Sequence, residues 1–228
     1  LELGGKNATV VFADADLQSA VEGAVRAAFT NSGQVCLCGS RIFVEEKISK
    51  QFKHLFVEKV NAIKIGNPMD EATEMGTVIS PEHLLKVESY IDLAEEEGGI
   101  ILAGGTREMT GYNGPEGIGA FLRPTVVDNL PYTSRCATEE IFGPMVTLHS
   151  FTTEQEALRM VNSSEYGLAG SVWTSDLERG ERFSSQIDSG IVWVNTWLHR
   201  DLRTPFGGVK NSGVGREGGQ WSLDFFSE

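Results

Sequence analysis

Cysteine is scarce in this chain of 228 residues: Cys36, Cys38 and Cys136 are the whole set, an odd number. That excludes a disulfide framework and points to a reducing compartment, so the expected location is the cytoplasm. Long apolar runs are missing too. None approaches the roughly 18 residues a membrane-spanning helix needs, and the opening Leu1-Glu2-Leu3-Gly4-Gly5-Lys6 has no basic segment leading into an apolar one. Positive charge is short: 19 Lys and Arg face 32 Asp and Glu, a formal net charge of −13. Such a chain repels phosphate backbones, which argues against nucleic acid as a partner. The four histidines, His54, His83, His149 and His199, are scattered without ligand spacing, so no metal site is expected. With 40% apolar residues the chain is well supplied for a core, which excludes intrinsic disorder as the main state.

Apolar spacing predicts strands and helices in alternation. A helix starts after Asp16 and carries Leu17, Ala20, Val21, Ala24, Val25, Ala28 and Phe29. A strand over 41–45 follows, then a helix marked by Ile48, Phe52, Leu55, Phe56 and Val60. Ser80 caps a third helix with Pro81 at its first position, and Gly98 stops it. Strands are expected at 100–103, 122–127, 145–151, 170–174 and 191–195, with helices at 154–161 and 177–187. Residues 104–119, with six glycines and one proline, read as a surface loop. The pattern is α/β: a largely parallel sheet flanked by helices, in one domain over 1–228.

Two residues carry the chemistry that spacing alone points to. Cys36 follows Gly33-Gln34 where a glycine breaks a helix, a junction that can expose a thiol; the alternative is a buried, inert side chain. If the chain is already extended there, Cys38 faces the same side and C-x-C suggests metal or redox chemistry. Glu2 lies between Leu1 and Leu3 and precedes two glycines that let the backbone come close to another group. Apolar surroundings raise a carboxylate's pKa, which suits a general base, although a solvated strand end fits the same residues.

The stretches L-E-L-G-G-K-N-A at 1–8, F-T-N-S-G-Q-V-C at 29–36, E-E-I-F-G-P at 139–144 and P-F-G-G-V-K-N-S-G-V-G-R-E at 205–217 resemble, in order, four signatures of the aldehyde dehydrogenase superfamily. The resemblance implies the fold of that family's catalytic domain, with Cys36 as nucleophile and Glu2 as the residue that activates water. It places Glu140 on the ribose of NAD or NADP, with Phe142, Leu3 and Gly4 beside the cofactor. The family's dinucleotide-binding domain and one oxyanion-hole amide precede the glutamate signature, so this chain is expected to be the catalytic half of a longer homo-oligomeric enzyme, inactive alone, with the cofactor supplied through the missing domain. Gly213-Val214-Gly215-Arg216-Glu217-Gly218 also spells G-x-G-x-x-G. No regular strand leads into it and only ten residues follow, too few for a helix and second strand, so it reads as a turn.

The stretch Thr196-Trp197-Leu198-His199-Arg200-Asp201-Leu202-Arg203-Thr204 borders the aldehyde entrance in that family. Its two arginines reverse the sign of a strongly acidic chain and offer planar forks for a carboxylate. The segment further resembles the branch acting on 2-hydroxymuconic and 2-aminomuconic semialdehydes. Arg200 first and Arg203 second are then expected to bind the substrate's acid group, with Trp197 and Phe206 flanking its conjugated chain. The alternatives are that Arg203, or Arg200 as well, pairs with Asp201 or neighbouring acids and that the aromatic residues are ordinary packing.

Overall fold

A computed structural model describes residues 3–108 and 119–227. The elements are, in chain order, β1 (Ala8–Val11), α1 (Leu17–Phe29), a short turn at Thr30–Gly33, β2 (Arg41–Glu45), α2 (Glu46–Ala62), α3 (Pro81–Glu96), β3 (Ile100–Ala103) and β4 (Thr125–Asp128). Then follow α4 (Arg135–Thr138), β5 (Met145–Phe151), α5 (Glu154–Asn162), β6 (Tyr166–Gly167), β7 (Ala169–Trp173), α6 (Leu177–Ser184), β8 (Ile191–Val194), β9 (Val209–Lys210) and α7 (Gly219–Phe226). Seven strands form one sheet in the order β3-β4-β5-β2-β1-β7-β8, parallel except for the β3/β4 pair, and β6 with β9 makes a separate small ladder. The predicted α/β class therefore holds.

Alternate side chains of the central strands feed two different apolar layers. Val11, Ile42, Val44 and Leu148 pack with α1 and α2, while Val10, Phe43 and Val172 pack with α5 and α6. Both faces of the sheet are covered, as a parallel sheet requires. That also explains why spacing gave no sign of β1: its four residues, Thr9 included, are all buried, so no solvated polar face alternates with an apolar one.

Helix caps follow the chemistry read from the sequence. Asp16 accepts from the Ser19 N–H and Ser80 from the His83 N–H, each satisfying one orphan donor of the first turn. Two boundaries shift for stated reasons. β4 starts at Thr125 because Pro124 has no N–H for the ladder, although Leu122 bridges to Arg107 before it. α6 stops at Ser184, and Gln186 and Ile187 continue in tighter turns on the Phe183 and Ser184 carbonyls. The glycine-rich stretch ending at Gly218 leads into a helix, α7, and no second strand follows it among the described residues, as expected from the ten residues that remain. Only the two-residue β9 precedes it, in the small antiparallel ladder, so a dinucleotide unit is still not formed there. The predicted loop at 104–119 falls mostly outside the described residues. Among those described, no helix is long and apolar enough to cross a membrane.

Candidate active site

The parallel order β5-β2-β1 brings three of the four signatures together at the amino ends of neighbouring strands. Ala8 and Thr147 both pair with Arg41, so the segments just before them, Gly4–Asn7, Val35–Ser40 and Glu140–Pro144, lie side by side. A crevice of about 20 Å³, room for about one water, is lined by Gly5, Gly33, Val35, Cys36, Cys38, Glu140, Phe142 and Met145 among others.

The two glycines after Leu3 meet a specific carboxylate. The Gly5 N–H donates to Glu140 Oε1 at 2.9 Å. A Cβ on Gly4, whose φ is +85°, would stand 2.3 Å from Glu140 Oε2. The glycine pair is thus the bed in which Glu140 lies, a link that joins the first and third signatures. From the other side Lys86 Nζ donates to the Glu140 carbonyl at 3.2 Å, and His83 Nε2 donates to the Phe142 carbonyl at 2.6 Å. Phe142 itself is exposed and left-handed, with φ +60°, a conformation that costs a non-glycine residue about 1–3 kcal/mol and persists only when neighbours impose it. Leu3 is exposed and its backbone N–H donates to the Ser212 carbonyl.

Cys36 stands in a turn, not in an extended segment: the Cys38 N–H returns to the Val35 carbonyl at 2.9 Å. The geometry that would have set both thiols on one side of a strand is therefore absent. Three consecutive left-handed residues, Asn31, Ser32 and Gly33, deliver the chain from α1 to that turn. Such a path needs over-determination, and the hydrogen bonds of four side chains supply it. Asn7 Nδ2 donates to both the Cys36 and Cys38 carbonyls, at 2.7 and 3.0 Å, while its Oδ1 accepts from the Ala169 N–H. Trp197 Nε1 donates to the Leu37 carbonyl at 3.0 Å, and Ser32 Oγ to the Gly76 carbonyl at 3.1 Å. Gln34 Oε1 accepts from the Ile79 N–H. Asn7 was not singled out from the sequence; its signal was its place inside the first signature.

The three thiols differ. Cys36 is half-buried, Cys38 and Cys136 are buried, and they form no disulfide. Burial pushes the Cys38 thiol up to about 12 and the Cys136 thiol up to about 11, so neither ionises near neutrality. Cys38 donates to the Thr30 carbonyl and Cys136 to the Tyr90 carbonyl. Among the described residues no cluster of three metal-ligating side chains exists. Lys6 is a second residue that spacing did not flag. It is 2% exposed, and burial, with the positive charge of Arg41, lowers its ammonium to about 7.

At the other wall, Trp197 and Phe206 are each 4% exposed and belong to one apolar cluster with Leu37, against which Cys36 packs. Packing accounts for both rings. Arg203 is paired with Asp201, its Nε donating to Oδ1 at 2.9 Å, as the alternative reading had it. Arg200 instead lays its guanidinium over the Phe206 ring, 4.3 Å from the centroid, and has no carboxylate partner among the described residues. Glu2 lies outside the described residues.

Comparison with known proteins bears on this arrangement. Residues 1–228 match the aldehyde dehydrogenase family. The chain is 47% identical to 2-aminomuconic 6-semialdehyde dehydrogenase of a Pseudomonas species over 227 residues, covering all of this chain and 46% of the relative. It is 46% identical to 2-hydroxymuconic semialdehyde dehydrogenase of Pseudomonas putida, again over the full chain and 46% of that protein. Among solved structures, betaine aldehyde dehydrogenase of Staphylococcus aureus in complex with NAD+ superposes with a TM-score of 0.93 at 42% identity, over 99% of this chain and 44% of the other. The chain thus spans about half the length of the relatives it matches.

Proposed function

This chain belongs to the aldehyde dehydrogenase family, and on that premise we propose that it is the nucleophile-bearing half of an NAD(P)-dependent enzyme oxidising a carboxylate-bearing semialdehyde to the acid. The observation that carries the proposal is the single crevice shared by Cys36, the Gly5 N–H and Glu140. A carboxylate held by backbone at one oxygen is an acceptor-only group, suited to the hydroxyls of a ribose. The residues present therefore fit a nicotinamide dinucleotide, with Glu140 and Phe142 holding it and Gly4 and Leu3 alongside. Bound there, NAD or NADP supplies the two-electron acceptor.

Cys36 Sγ adds to the aldehyde carbon and afterwards carries the acyl group as a thioester. Glu2 takes a proton from water, which attacks that thioester and frees the acid, returning the thiol. The turn clamped by Asn7 and Trp197 fixes the sulfur's backbone, so attack geometry is set before the aldehyde arrives.

The acid group of the substrate is assigned to Arg200. Its guanidinium is steadied by Phe206, itself in the cluster that Cys36 packs against, and has no carboxylate partner among the described residues. Similarity to two muconic semialdehyde dehydrogenases supports the same class. A second reading, a small uncharged or cationic aldehyde, is favoured by the 42% identity to betaine aldehyde dehydrogenase. Steady-state turnover of the full-length enzyme separates the two. Arg200→Ala raises KM for 6-oxohexanoate about ten-fold or more and leaves KM for hexanal within a factor of two, the scale of one charge-assisted hydrogen bond. An equal change for both aldehydes removes the charge argument.

A further inference from the structure

The arginines of this chain sort into groups by what they touch. Arg107, Arg123, Arg135, Arg179, Arg182 and Arg203 face carboxylates. Arg41 and Arg216 donate to backbone carbonyls. Among the described residues this leaves Arg26, Arg159 and Arg200 without a carboxylate or carbonyl at their guanidinium. Two of those three cover rings of one apolar cluster. Arg200 lies over Phe206 and Arg26 over Trp197, 5.9 Å from the ring centroid, and the two rings are members of the same cluster.

Arg26 is also tied to the nucleophile by its element. It sits in the last turn of α1, exposed, on the helix that runs directly into the left-handed path to Cys36. The Trp197 ring beneath it donates to the Leu37 carbonyl, one residue beyond the sulfur. Two cations with no carboxylate partner among the described residues, in a chain of net charge −13, are therefore set over two rings of the cluster that Cys36 packs against. In this setting the planar face of the guanidinium rests on the ring and its edge remains open to a carboxylate.

We propose that Arg26 is a specificity-determining residue that, together with Arg200, forms a two-guanidinium clamp for the acid end of the substrate. The inference rests on the semialdehyde reading above and deepens it. Arg200 alone fixes the sign of the charge; a second guanidinium over Trp197 fixes where the carboxylate lies, and hence which chain length reaches the sulfur.

The test uses the full-length enzyme with 6-oxohexanoate and hexanal, which have the same number of carbons and differ in the acid group. Arg26→Met keeps an apolar cover on Trp197 and removes the charge. The ratio of kcat/KM for 6-oxohexanoate over hexanal falls about ten-fold or more, mainly through KM, while Arg26→Lys retains part of the preference. Thermal unfolding of each variant accompanies the kinetics. An unchanged ratio, or a lowered Tm with the ratio intact, overturns the clamp and makes Arg26 a structural partner of Trp197 or of another protein group. Failure of the underlying reading looks different: the unsubstituted enzyme would itself show no preference for 6-oxohexanoate, or oxidise neither aldehyde, and either result overturns the clamp along with it.

Discussion

Asn7 spends both of its side-chain N–H donors and its carbonyl oxygen on one task, joining the Cys36 and Cys38 carbonyls to the start of β7. Asn7→Ala strands those buried backbone groups, each at about 1–3 kcal/mol, so denaturant unfolding is expected to show a loss of about 3 kcal/mol or more. Asn7→Asp keeps the acceptor for Ala169 but turns a carboxylate oxygen onto the two carbonyls, so its loss is expected to be at least as large. Thiol chemistry gives a second expectation at this scale. Brief iodoacetamide treatment followed by peptide mapping modifies Cys36 first, because burial holds Cys38 and Cys136 in the thiol form. Equal labelling of all three contradicts the assignment. The sequence made Cys36 and Glu140 legible through their signatures, and left Asn7 and Lys6 unread, since a buried polar residue shows its partners only after distant strands pair.

At the scale of elements, the site is a product of strand order. Three of the four signatures lead into β1, β2 and β5, which are neighbours, so signatures more than 100 positions apart share one crevice. Glycine at 33 makes that approach possible: its φ is +71°, and a Cβ there would stand 2.2 Å from the Gly143 carbonyl. Gly33→Ala is therefore expected to force the turn away from the E-I-F-G-P segment, lowering kcat of the full-length enzyme a hundred-fold or more with a measurable drop in Tm. Wild-type turnover in that variant would show that the contact between the two segments is dispensable. α1, α3, α5 and α6 were legible because one face of each is polar and their caps carry Asp, Ser or Thr, whereas the four-residue α4 and the glycine-capped α7 were not. β1 was not, because strands covered on both faces carry no alternation.

For the molecule as a whole, one buried imidazole contributes to the response to acid. Burial, and then the charge of Arg41, pushes the His149 imidazole down to about 4. Unfolded, the same side chain titrates near 6.5. Between those values the unfolded chain binds a proton that the native state refuses, so the stability His149 permits is complete above about 6.5 and declines as pH drops towards 4. His149→Gln is expected to flatten that part of the unfolding free energy against pH; an unchanged slope would mean that the imidazole is protonated in the fold. The overall architecture was legible from alternation of strands and helices. The pairing of Arg203 with Asp201, and the freedom of Arg200 from any such partner among the described residues, needed the folded loop.

The central claim is that one sulfur, Cys36, carries the acyl group between oxidation and hydrolysis. Rapid acid quench of the full-length enzyme during turnover of 6-oxohexanoate with NAD+, followed by peptide mass spectrometry, reads it directly. The expected result is an acyl mass on the Cys36 peptide that vanishes in Cys36→Ser; an adduct on Cys38 or Cys136, or turnover that persists in Cys36→Ser, would contradict it.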